Sequence, residues 1–229
     1  MSSKEEAKLL SMFAKTRALI KTENRENAMC IIVLDGAECY CNAILTLLNK
    51  NYVFPAKALM RCLCELTVKL MWCLQCPDDT DEEQDRKTVD EKIRRWENST
   101  LAQNIKVLEE WKQVDPQNNK IDDQIKELEK KKDNMNVKEM PCYAQLLEKL
   151  PCKFRREISL ELYKDFNKAV HLDTNSLGEI CLHNNKTNVN NSGISRLKDY
   201  CLLLAKNITG VIAINKSGEG PESNTVMAM

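Results

Sequence analysis

Glycine and proline are scarce in this chain, six of each in 229 residues. Barrels and sandwiches need a tight turn about every eight to twelve residues, so this composition excludes most all-β folds. Aromatic residues make up only 5%. Histidine occurs twice, at His171 and His183, which excludes a multi-histidine metal centre. Neither sign of charge is in excess: lysine and arginine total 34, as do aspartate and glutamate. No global field therefore draws in nucleic acid or an anionic membrane, and any such binding must be local. The sequence has no glycine-rich phosphate loop, no GxSxG elbow and no HExxH motif.

What is abundant is leucine, lysine, glutamate, asparagine and cysteine, with 43% hydrophobic residues overall. These proportions and the helical spacing of the apolar positions predict an all-α protein, a helical bundle with a long charged helical hairpin inserted in it. The eleven cysteines are odd in number, and the charged start MSSKEEAKLL carries no apolar leader segment. Cys30, Cys39, Cys62, Cys64, Cys73 and Cys201 fall inside apolar helical runs, where a free thiol acts as a small hydrophobe. A reducing cytoplasm is the expected setting, with no membrane contact. Cys73 and Cys76 have the spacing of half a zinc site, but a matching second pair is missing, so neither a metal nor another cofactor is expected.

Periodicity divides the chain into four parts. Residues 1–77 supply the N-terminal part of a core: an amphipathic helix near 3–22, a long helix from about 26 to 50 with a bend expected at Gly36, and a strongly apolar helix from Pro55 to about Cys76. Residues 78–140 are densely charged and keep only thin apolar stripes (Val89, Ile93, Trp96, Leu101, Ile105, Leu108 and Trp111, then Ile121, Ile125 and Leu128) on either side of Pro116. Two long helices, each packed by one narrow face, are predicted there. Residues 141–215 return to the core pattern, with Tyr143, Leu146, Leu147 and Leu150, a helix near 153–171, an asparagine-rich loop, and a last helix near 194–208 that could extend through Ile214. The tail, 216–229, has no core pattern and is expected to be disordered.

Lys57, Arg61, Glu65 and Lys69 form a line of charge on the apolar helix, each four residues from the last. Four-residue steps stack side chains on one face, so these groups must be paired or used. Tyr163, Asn167 and His171 make a second polar line at the same step. If the two lines face each other across a groove, Arg61 could hold an anion, Glu65 accept a proton from an imidazole nitrogen, His171 shuttle a proton, and Tyr163 donate or orient. Arg61 and Asn167 would then line a ligand. The plainer alternative is a structural network, because Arg61 and Glu65 can pair on their own helix. That alternative is favoured, and Lys57 and Lys69 are expected to reach for solvent.

Two stretches carry a family resemblance. Ala43-Ile44-Leu45-Thr46-Leu47-Leu48, followed by Ala56-Lys57-Ala58-Leu59-Met60-Arg61-Cys62-Leu63-Cys64-Glu65, and later Tyr163 to His171, resemble the prokaryotic family known as domain of unknown function 5677. The resemblance spans about residues 27–210, with asparagine at 167 where the family has serine. It implies an all-helical fold and meeting polar rows but supplies no activity; the company the family keeps implies a stress or phage-defence setting. Three functions compete. One is an interaction or accessory module that uses the charged arm to bind an unknown protein partner or to self-associate. Another is a metal-independent ribonuclease or nucleotide-binding protein similar to the HEPN (higher eukaryotes and prokaryotes nucleotide-binding) class, with Arg61 and His171 on phosphate. The HEPN signature places arginine four to six residues before histidine, and neither histidine has one there. Nucleic acid is therefore not the favoured partner. The remaining function is a small-molecule sensor whose ligand fills the groove.

Overall fold

A computed structural model describes residues 3–21, 24–75, 82–150, 163, 164, 166 and 191–217. Among these residues every regular element is a helix: α1 (Ser3–Ala18), α2 (Arg25–Asn49), α3 (Val53–Gln75), α4 (Glu82–Val114), α5 (Asn119–Met135), α6 (Tyr143–Lys149) and α7 (Asn191–Ser217). The chain is all-α, as its composition requires. It divides into two compact units, one made of Met1–Cys76 with Tyr143–Met229 and the other of Pro77–Cys142.

In the first unit α2 packs against α3 and α7, α1 lies on α2 and α7, and α6 rests on α3. The interior holds Phe13, Leu34, Ile44, Leu48, Met60, Leu63, Trp72, Leu204 and Ile208, all essentially without exposure. Asn24 caps α2 by accepting a hydrogen bond from the Asn27 amide at 2.8 Å, the usual way to satisfy a first-turn donor. At the other end Asn51 turns left-handed, φ 62°, and the Tyr52 amide donates back to the Leu47 carbonyl at 2.8 Å. Asparagine tolerates that conformation better than most residues, and the Asn49-Lys50-Asn51 stop is thereby explained. Lys198 donates to Asn49 at 2.8 Å, and Lys216 pairs with Glu26. The two contacts join opposite ends of α2 and α7, so these helices run antiparallel.

Helix α2 is long and apolar enough to cross a membrane by length and composition. Here one face of it, from Met29 through Val33, Leu34, Ala37, Cys41 and Ile44 to Leu48, is buried in the unit. On its other side Asp35 and Glu38 both bind Arg17 of α1, at 2.5 and 2.8 Å.

Several expectations need adjustment. The first helix ends at Ala18 rather than near residue 22. The last helix begins earlier than expected, at Asn191, and runs on through Ile214 to Ser217. Cys39 and Cys62 are exposed, whereas Cys30, Cys41, Cys64, Cys73 and Cys201 are buried. The helix expected near 153–171 falls mostly outside the described residues, although Tyr163, Lys164 and Phe166 are helical and Phe166 is fully buried. Most of the asparagine-rich loop and the tail from 218 onward also lie outside them.

The second unit pairs α4 with α5. Arg94 donates to the Met135 carbonyl, Asn98 to that of Val137 at 2.7 Å, and the Met140 amide to Ser99 Oγ at 2.6 Å. Toward the far end Lys112 pairs with Asp122. Contacts that bring 94–99 to 135–140 and 112 to 122 make the two helices antiparallel, with Asp115–Asn118 as the connection. Ile93, Ile105 and Ile121 are buried, as the thin stripes predicted. Trp111 is the exception: it is 62% exposed and does not serve the internal seam.

Two outcomes follow from this packing. A Cβ placed on Gly36 would sit 3.8 Å from Leu66 Cδ2, an ordinary contact. Gly36→Ala should therefore stabilise the first unit by about 0.5–1 kcal/mol, the intrinsic cost of glycine inside a helix, and raise Tm by about 1–4 °C; an unchanged or lower Tm by calorimetry contradicts this. Replacing residues 80–138 with a short linker should leave a helical core that still unfolds cooperatively. An insoluble or non-cooperative product would show that the core depends on the segment.

Candidate functional site

Four helical turns of α3 contain the charged line, and the helix is otherwise so apolar that its charges can lie only along one rim. Arg61 and Glu65 occupy adjacent turns, with Arg61 Nε 3.0 Å from Glu65 Oε1. Their side chains keep 20% and 29% of their exposure, so the pair lies at the rim of the core and not inside it. Arg61 Nη2 also donates to the Tyr163 hydroxyl oxygen at 3.2 Å, across 102 residues of sequence. The Arg61 Cζ atom lies 5.2 Å from the centre of the Tyr163 ring, close enough for a cation–π contribution.

Tyr163 is in turn stacked on Tyr143, the first residue of α6, with ring centroids 4.1 Å apart and planes at 21°. The sequence pattern marked Tyr143 only as a core position. Its clue was its place as the first polar-tipped aromatic after Pro141, at the start of a short apolar helix. The cluster is thus an arginine gripped by a carboxylate and a phenol, backed by a second phenol.

The electrostatics agree with this geometry. Burial alone would lower the proton affinity of the Arg61 guanidinium, but the Tyr163 oxygen and the Glu65 carboxylate outweigh it and raise that affinity. Burial pushes the Tyr143 hydroxyl well above the ordinary phenol range, with Cys64, Glu65 and Tyr163 adding to the effect. Among the described residues the buried Tyr143 OH has no hydrogen-bond partner, a condition that costs about 1–3 kcal/mol where no partner is supplied. Next to the cluster, burial raises Tyr40, and a hydrogen bond with Cys62 contributes. Deeper in the unit Cys41 is raised, first by a contact with Cys201 on α7 and then by burial, and burial raises Cys64. Protonated thiols are poor nucleophiles, so these act as packing groups.

Of the expected site residues, Arg61, Glu65 and Tyr163 come together. His171 and Asn167 lie outside the described residues. Lys57 and Lys69 are half-exposed. Among the described residues no group of three or more His, Cys, Asp or Glu side chains is placed to hold a metal ion.

Arg61→Ala removes the centre of the cluster, and at this partial exposure should cost about 1–2 kcal/mol. Tyr163→Phe removes only the acceptor and should cost about 0.5–1.5 kcal/mol. A double-mutant cycle followed by thermal unfolding should give a coupling of at least about 0.5 kcal/mol between the two; strict additivity would mean that the contact contributes nothing.

A model of the family of unknown function DUF5677 matches residues 40–188, a span that takes in Arg61, Glu65, Tyr143 and Tyr163. No curated protein and no solved structure shows significant similarity to the chain. With well over half its length inside the match, and with the polar cluster within that span, the chain belongs to the DUF5677 family of unknown function.

Proposed function

We propose that this chain is a non-catalytic helical interaction module in a reducing cytoplasm, serving the prokaryotic stress or phage-defence setting that the family resemblance suggests. One observation carries the non-catalytic part: the Arg61 guanidinium is already engaged by Glu65 and Tyr163 within its own unit. An arginine so held cross-braces helices, and its charge is largely answered before any substrate arrives. Cys30, Cys41, Cys64 and Cys201, buried as small hydrophobes in the helical core, support the reducing compartment. The paired Asp35 and Glu38 on α2 support its role as a core helix rather than a membrane span.

A second reading, a ribonuclease or nucleotide site built on Arg61 and His171, is favoured by the position of Arg61 at the rim of the core, where its side chain keeps 20% of its exposure and can reach a phosphate.

Incubation with single-stranded RNA separates the two readings. The wild type, Arg61→Ala and His171→Ala should all leave the RNA intact, with Arg61→Ala visible only as a lower Tm. Cleavage by the wild type that disappears in His171→Ala at nearly unchanged Tm would replace the first reading with the second.

A further inference from the structure

On α4, Val107, Trp111 and Val114 are 46%, 62% and 85% exposed. At 100° per residue the three fall within one narrow stripe, joined at its N-terminal side by the exposed Asn104. Leu101, Ile105 and Leu108 lie about a third of a turn away and are more buried than the stripe, Ile105 almost completely. Beside the stripe, Val107, Leu108 and Trp111 share a shallow groove with Gln124 and Leu128 of α5. Three large apolar side chains in a row on an otherwise charged helix form a patch with something to bind.

We infer that the stripe is the interface of a weak homodimer, in which α4 of one copy packs antiparallel on α4 of another. This rests on the interaction-module reading above and names its partner. The argument is self-complementarity, which a two-fold interface demands. A two-fold axis perpendicular to α4 near Leu108 and Glu109 places Val107 opposite the partner's Trp111 and Asn104 opposite the partner's Val114. The same axis sets charge against opposite charge. Lys106 and Glu110 are both exposed and both flank the stripe on the edge away from α5. In an antiparallel pair equal edges meet, so Lys106 faces the partner's Glu110 and Glu110 the partner's Lys106. The apolar and ionic pairings require the axis at positions one residue apart, about 1.5 Å along the helix, which long side chains absorb. The other nearby charges do not oppose this arrangement: Lys112 is paired with Asp122, and Glu127 with Lys131 at 2.6 Å.

Size sets the strength. A stripe of three apolar residues with two flanking charges falls short of the ~800 Å² per partner of a standard interface. The association should therefore be weak and dynamic, and weaker still at high salt.

Sedimentation equilibrium of the full chain tests this. The weight-average mass should rise from the monomer value of 26.3 kDa toward twice that with concentration. Trp111→Glu should abolish the rise; because Trp111 is exposed, the helical circular dichroism should be unchanged. Lys106→Glu and Glu110→Lys should each weaken the association at least about fivefold, by placing like charges in contact twice per dimer. The double variant Lys106→Glu/Glu110→Lys should restore it. A protein that stays monomeric to millimolar concentration overturns the proposal, as does a dimer indifferent to Trp111→Glu or one that the double variant fails to rescue. Neither result would bear on the RNA assay, so the module reading and the dimer can fail separately.

Discussion

A guanidinium on the edge of an apolar helix must find acceptors, because stripping its water without replacement costs several kcal/mol. In the first unit that requirement links parts of the chain that are remote in sequence. Arg61 reaches down its own helix to Glu65 and outward to Tyr163, and Tyr163 leans on Tyr143 at the head of α6. One charged side chain thereby ties Tyr163, and through it the head of α6, to α3.

Much of this was legible in the sequence for a simple reason. Period 3.6 is a strong signal in helices as long as α2, α3 and α4, and the four-residue step between Arg61 and Glu65 makes an ion pair almost unavoidable. The family resemblance pointed to Tyr163 as well. Tyr143 was harder to see because a tyrosine in a short apolar run looks like any other core residue until a second ring is placed over it. Trp111 is hard to place for the opposite reason: it follows Leu108 by three residues, so it continues the apolar line while drifting to its edge, and no local rule tells which of two apolar lines on a helix faces inward. Cys39 and Cys62 show the same limit, since a thiol is small enough to sit on either side of a helix rim.

The two units solve the burial problem differently. The first has a broad interior in which even polar side chains are turned inward upon the backbone; Thr67 and Thr209 donate to the carbonyls of Leu63 and Ala205, four residues back, at 2.7 and 2.9 Å. The second has little interior. Around the narrow seam of Ile93, Ile105 and Ile121 it adds side chains that reach the backbone beyond α5, such as Arg95 to the Glu139 carbonyl at 3.2 Å, and exposed ion pairs that contribute little each. A unit so thinly packed has apolar surface to spare only where it is not needed for its own seam.

The antiparallel seating of α7 against α2 has a consequence for synthesis. While the ribosome is still translating residues before about 191, the faces of α2 and α3 that α7 will cover, including Cys41 and Cys64, have no lid. The second unit is continuous in sequence and needs nothing downstream for its own pairing. Until α7 is made, the apolar faces of the first unit stay open to water, the condition under which nascent chains aggregate or recruit chaperones.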